Sequence, residues 1–117
     1  MKRKTSDLTG ALLDAAVAKA EGLEPRDYEF GTCWYAPGGG RGLVPYQPST
    51  DWSVGGPIID QIKPSLGWDD VAERFEAGLE HEARADGCQR SYATGPTYLI
   101  AAMRAFVASK LGDEVDL

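Results

Sequence analysis

The chain has 117 residues, of which 43% are hydrophobic and 26% charged, with a net charge of −6. This length suits one domain with a core of its own, and the composition is that of a folded chain, not a disordered one. The acidic balance disfavours nucleic-acid binding, which draws on cationic patches to displace counterions, and no run approaches the roughly 20 apolar residues that span a bilayer.

The basic start Met1-Lys2-Arg3-Lys4 gives way to polar Thr5-Ser6-Asp7 and not to an apolar stretch. It is no secretory signal, so a cytoplasmic location is expected, with residues 1–4 flexible. Residues 9–21 read as an amphipathic helix, because Leu12, Leu13, Ala16, Val17 and Ala20 share one arc at helical spacing. Thr9 suits its N-cap and Gly22 its stop. Residues 28–35 carry Tyr28, Phe30, Trp34 and Tyr35 and read as a strand. The glycine-rich stretch 37–42 follows as a loop. Leu43, Val44 and Tyr46 offer a short return strand, which makes 28–46 a hairpin.

The run from Tyr46 to Gly56 mixes turn formers, hydroxyls, a carboxylate and an indole. Most of these residue types are poor helix or strand formers, so a shaped loop is expected. Pro57 then suits the first position of a short helix with Ile58, Ile59 and Ile62 behind it; a strand over 57–62 is an equally fair reading. Asp70-Val71-Ala72-Glu73 resembles a capping box with Asp in the first place. Val71, Ala72, Phe75 and Leu79 share a helical arc beyond it, which predicts a helix. Residues 80–93 read as polar and irregular, with a turn at Asp86-Gly87.

The last element carries the clearest signal. Gly95-Pro96 opens it and Gly112 closes it. Between Leu99 and Leu111 its polar residues are Arg104, Ser109 and Lys110. A helix that is apolar or small all round is buried on more than one side, so 96–111 is placed at the centre. Its alanine side (Ala101, Ala105, Ala108) lets a neighbour such as the 9–21 helix approach closely. The acidic tail 113–117 is expected to fray. The fold class is α+β: a single small domain over 1–117, with a central buried C-terminal helix, an N-terminal helix and a small antiparallel sheet or hairpin.

Three segments carry a family resemblance. The first is Lys4-Thr5-Ser6-Asp7-Leu8-Thr9-Gly10-Ala11, with Asp14, Ala18 and Glu21-Gly22 after it. The second is Tyr46, Pro48-Ser49-Thr50-Asp51-Trp52 and Gly55-Gly56-Pro57-Ile58-Ile59. The third is Gly95-Pro96-Thr97, Leu99 to Arg104, and Val107 to Val115. Together, and in this order, they resemble the NinX-like group of small phage and prophage proteins. The stretch 60–93 departs from that pattern. The resemblance implies a phage-encoded accessory protein made in the cytoplasm of an infected bacterium. It implies no reaction, and no catalytic residues come with it.

The candidate ligand-binding residues are Tyr46, Ser49, Thr50, Asp51, Trp52, Gly55, Gly56 and Arg104. Asp51 with two hydroxyls beside the Trp52 indole can hold a sugar or nucleoside by stacking and hydrogen bonding. The plainer reading is structural, since Ser, Thr and Asp cap helices and turns and an indole fills a core. Gly55-Gly56 can admit a phosphate to backbone N–H groups, but no P-loop lysine follows; a tight turn is the plainer use. Arg104, on a buried helix, needs a partner: Asp51 or Asp14, or an anionic ligand. Lys110 reads as a snorkelling side chain at a helix end.

His81 is the sole histidine, and the two cysteines, Cys33 and Cys88, form no CxxC pair. No metal or other cofactor is therefore expected, and free thiols suit a cytosolic chain. No catalytic constellation emerges. The first functional expectation is a non-enzymatic binder of a small anionic or nucleotide-like ligand. The alternative is a protein-interaction module acting on a host or phage factor. A hydrolase using Asp51 ranks last.

Overall fold

The computed structural model describes residues 2–22, 25–28, 31–34, 47–83 and 87–116. Strand β1 (Lys2–Lys4) leads through a 3-10 turn (Thr5–Asp7) into helix α1 (Gly10–Ala20). Strands β2 (Pro25–Tyr28) and β3 (Gly31–Trp34) form a hairpin, and helix α2 covers Trp52–Ile62. Strands β4 (Ser65–Asp69), β5 (Arg74–Ala83) and β6 (Gly87–Gly95) form an antiparallel sheet in that order. Helix α3 (Tyr98–Leu111) and strand β7 (Glu114–Asp116) complete the chain, with β7 antiparallel to β1. The architecture is α+β.

Helix α3 sits at the centre, as its composition requires. Leu99, Ile100, Ala101, Ala102, Met103, Ala105, Phe106 and Val107 are all buried. One side packs on β5 and β6, the other on α1 and α2. Thr97 caps its start by accepting a hydrogen bond from the Ile100 N–H at 3.1 Å. Gly112, at φ +88°, ends it in a backbone region that favours glycine. Small residues on both partners let α1 lie close, with Ala16 and Ala18 of α1 and Ala101, Ala102 and Ala105 of α3 fully enclosed. Lys110 is exposed, as a snorkelling side chain should be.

The α1 arc is rotated from its expected position. Leu12 is 40% exposed, and Asp14 takes a place among the buried residues beside Leu13, Ala16, Val17 and Ala18. The strand expected over 28–35 splits, because Tyr28 ends β2 and pairs with Gly31 at the start of β3. The proposed return strand at 43–46 lies outside the described residues.

The largest correction falls on 70–93. No helix forms over 71–79; these residues turn from β4 into β5. Phe75, Ala77 and Leu79 alternate along β5 toward α3, while Glu76 faces away and accepts a hydrogen bond from the Tyr92 hydroxyl at 2.8 Å. A spacing of four fits both a helix and the same face of a strand, and that ambiguity misled the periodicity. The capping chemistry is present but serves a turn. Asp69 Oδ1 accepts from the N–H groups of Val71 and Ala72 at 3.0 and 3.1 Å, and Glu73 takes φ +53°. The stretch 80–93 is not irregular either: β5 and β6 stay in register through Glu80↔Arg90 and His81↔Gln89 to Ala83↔Gly87.

The chain ends also differ from expectation. The acidic tail forms β7 in place of a frayed end, with Lys2↔Asp116 and Lys4↔Glu114 as cross-strand partners of opposite charge. Buried Thr5 fastens this ribbon to the end of α3. Its N–H donates to the Asp113 carbonyl at 2.8 Å and its hydroxyl to the Gly112 carbonyl at 2.7 Å.

Helix α2 begins five residues earlier than its proline suggested, so the run Trp52–Gly56 is helical and not a loop. Pro57 sits inside the helix and cannot donate to the Ser53 carbonyl. Gly55 explains why the sequence tolerates poor helix formers here. A Cβ at Gly55 would lie 2.3 Å from the Pro48 carbonyl oxygen and 2.7 Å from Leu99 Cδ2. The glycine is there for close approach, not for a tight turn. Gly55→Ala should therefore destabilise the protein by about 1–3 kcal/mol in urea unfolding, against a helix-propensity gain of about 1 kcal/mol. Gly56→Ala, whose Cβ meets nothing nearer than Trp52 Cε3 at 3.8 Å, should be neutral or gain up to about 1 kcal/mol.

Candidate functional site

The sequence-predicted residues separate into two places. The first is the start of α2. Gln47, Pro48, Ser49 and Thr50 form a turn closed by the Thr50 and Asp51 N–H groups, which donate to the Gln47 carbonyl at 3.2 and 2.8 Å. Asp51 is the N-cap. Its Oδ1 accepts from the Ser53 N–H at 2.9 Å and the Ser53 hydroxyl at 2.7 Å. The Ser53 hydroxyl and amide hold this carboxyl below its ordinary value. The carboxylate expected to meet a ligand is thus committed to the helix start, with its remaining acceptor capacity open to solvent. Trp52 is 55% exposed and does not plug the core. Tyr46 lies outside the described residues.

Ser49 is almost fully buried, and its reason is Asp14. The Ser49 N–H donates to Asp14 Oδ1 at 2.9 Å, which ties the turn before α2 to helix α1 across 35 residues of sequence. Burial pushes the Asp14 carboxyl up, while the Ser49 hydroxyl and amide pull it back. The hydroxyl stands near the carboxylate without a well-directed bond, so Ser49 Oγ is a buried polar atom with no hydrogen-bond partner. Asp14 is therefore not the partner of Arg104 that the sequence offered; it holds this turn.

The second place is Arg104, and it does not join the first. Neither Asp14 nor Asp51 contacts it. Its Nε–H donates to the Leu8 carbonyl at 2.8 Å and an Nη1–H to the Thr94 carbonyl at 2.7 Å. These bonds use two of the five N–H donors that a guanidinium carries. Burial pulls the Arg104 pKa down, and the charge of Asp7 pushes it up. The group still carries its charge at neutral pH.

Arg104 opens onto a cleft of about 210 Å³ between the β6 edge, α3 and the paired chain ends. Lys4, Thr5 and Ser6 form one wall, Tyr92 and Ala93 another, with Ala108, Asp113 and Glu114 completing it. Apart from Arg104, these residues were missed as site residues. The available signal was the opposite charge of Lys2-Arg3-Lys4 and of the tail Asp113-Glu114, which draws the two ends together. Among the described residues, no group of three or more His, Cys, Asp or Glu side chains is placed to hold a metal ion. Among the same residues, no helix is long and apolar enough to cross a membrane.

The Asp14 bond generates a test. Asp14→Ala leaves the Ser49 N–H buried without its acceptor and should cost about 1–3 kcal/mol; Asp14→Asn keeps an acceptor oxygen and should cost less. The pH dependence separates the two chemistries. A carboxyl raised by folding stabilises below its unfolded value and loses that contribution as pH rises through the folded one. The stability of the wild type relative to Asp14→Asn should therefore increase as pH falls from 7 toward 4 in urea titrations.

No curated protein matches the chain. The family model described as "Bacteriophage P22, NinX" matches residues 4–110. That span runs from Lys4 at the cleft to the last turn of α3 and takes in Ser49, Asp51 and Arg104, so the chain belongs to the NinX family and is a phage protein.

Proposed function

We propose that the protein is a non-enzymatic binder of a small anionic ligand, taken at the Arg104 cleft. The observation that carries this reading is the state of Arg104. Two backbone carbonyls hold it and burial strips part of its hydration, yet among the described residues no carboxylate forms an ion pair with it. A desolvated guanidinium with N–H donors to spare favours an oxyanion, which restores the lost hydrogen bonds. Lys4 adds a second cation to the lining. The size of the cleft narrows the ligand. At about 210 Å³ it falls below the roughly 300–1,000 Å³ of pockets that enclose drug-sized molecules. It suits a small acid or a phosphate group rather than a whole nucleotide. Asp51 and Trp52 play no part in this site.

Isothermal titration with inorganic phosphate and with propionate tests the reading. Saturable binding that weakens with added salt and falls at least about tenfold in Lys4→Gln and Arg104→Gln supports it. Lys4 is exposed, so its replacement leaves the fold in place. Absence of binding by either anion to the wild type sinks the proposal.

A second reading, a protein-interaction module, draws on apolar surface around the β4–β5 turn. Leu66, Trp68 and Val71 are 41%, 48% and 96% exposed, and exposed large apolar groups that cluster mark contact surfaces. A partner retained from infected-cell extract by the wild type and lost by Trp68→Ser supports this reading. Equal retention by both removes it.

A further inference from the structure

The anion-binding reading leaves half of the cleft unused. Its lining carries two cations, Lys4 and Arg104, and two carboxylates, Asp113 and Glu114. The formal charge of the lining is therefore zero. A ligand that is only anionic gains from the first pair and loses to the second. The whole chain is also acidic, at −6, so it offers a free anion no long-range attraction. Neither fact suits a site tuned for a simple dianion such as phosphate.

Arg104 and the carboxylate pair are placed by different parts of the fold, while Lys4 shares the β1–β7 ribbon with Glu114. Arg104 is fixed from α3 by the Leu8 and Thr94 carbonyls. Asp113 is fixed by its own backbone, whose carbonyl accepts from the Thr5 N–H. Glu114 sits in β7 opposite Lys4 of β1. Among the described residues, neither Asp113 nor Glu114 makes a side-chain hydrogen bond or an ion pair, although Lys4 is the cross-strand neighbour of Glu114. Both are exposed, and a charged hydrogen bond at such a rim recognises as well as attracts. Tyr92, whose hydroxyl donates to Glu76, also lines the cleft.

Resting on the anion-binding reading, we infer that the ligand is zwitterionic: a small molecule with an anionic group for Arg104 and Lys4 and an ammonium group for Asp113 and Glu114, of amino-acid size. The oxyanion replaces water on the guanidinium, the ammonium bridges the two carboxylates, and a short apolar linker lies along Ala93, Ala108 and Tyr92. A net-neutral ligand meets a net-neutral lining, and each of its ends finds the opposite charge.

The experiment pairs probes that differ in the amine alone: propionate against β-alanine, and butyrate against γ-aminobutyrate, titrated into 15N-labelled full-length protein and followed by NMR shift changes. The expected result is that one amino acid of the series binds about tenfold or more tightly than its amine-free partner. The shifts should map to residues 4–6, 92–93 and 113–114. In Asp113→Asn/Glu114→Gln that advantage should vanish while binding of the plain carboxylate persists or improves. Plain carboxylates and amino acids binding equally to the wild type overturns the inference and leaves the anion reading standing. No binding by carboxylate, phosphate or amino acid overturns both. If the double variant fails to fold, the wild-type comparison alone decides.

Discussion

The structure depends on burying helix α3 from two sides. Its sheet-facing and helix-facing residues are apolar or small without a polar stripe, so the helix cannot lie on a surface. Each buried Leu, Ile, Met or Phe contributes roughly 1.5–3 kcal/mol on leaving water, and α3 supplies four of them: Leu99, Ile100, Met103 and Phe106. The layers around it are what remains once that burial is imposed. The three-stranded sheet covers one side, and α1 and α2 cover the other. Close approach follows from the same demand. Gly95 meets the start of α3, where a Cβ would lie 2.8 Å from Ile100 Cγ2, and Gly55 meets Leu99. Both glycines were visible in the sequence as punctuation, and both are spacing.

What was legible tracks how local the cause is. Helix α3 was legible because its boundaries, caps and burial are all written within sixteen residues. Helix α1 was legible for a similar reason, but the identity of its buried face was not: Asp14 is buried because Ser49, far along the chain, brings an N–H to it. The β5 strand was hidden because Phe75 and Leu79 fit two periods, and what decides is the pairing with β6, which no local window contains. The ribbon of β1 and β7 is the opposite case. Its charges stood in plain view at the two ends, and only the closure of the fold shows that they meet.

The same logic explains the fate of the Tyr46–Ile59 run. Its hydroxyls and carboxylate looked like a converging site, and the described part of it converges on the backbone instead. Ser49 serves Asp14, Asp51 serves Ser53, and Gly55 serves Leu99. Asp, Ser and Thr satisfy backbone groups at helix starts so readily that composition does not distinguish capping from binding. What distinguishes them is the direction of the side chain, which depends on where α2 docks. Arg104 went the other way. A cation in the middle of an apolar helix needs partners, and here they are carbonyls, which every residue carries and no sequence pattern marks.

Those carbonyls are why Arg104 can be both structural and available. Leu8 precedes α1 and Thr94 lies near the end of β6, and both segments are pressed onto α3 by the core. The Thr94 carbonyl lies on the edge strand of the sheet, so the guanidinium also covers a backbone group that would otherwise face water or another strand. Anchoring through Nε and Nη1 fixes the plane of the guanidinium before any ligand arrives, and the donors left over point where the core dictates. For the anion proposed to bind there, the cost of ordering a long, flexible side chain would already be met, which preorganisation removes from the binding free energy. The guanidinium keeps its charge across neutral pH, so an anion bound there would meet a fixed positive charge. The cleft therefore takes Arg104 from the buried helix α3 and its other charges from the chain ends, and a substitution in either one reports on a different half of the proposed site.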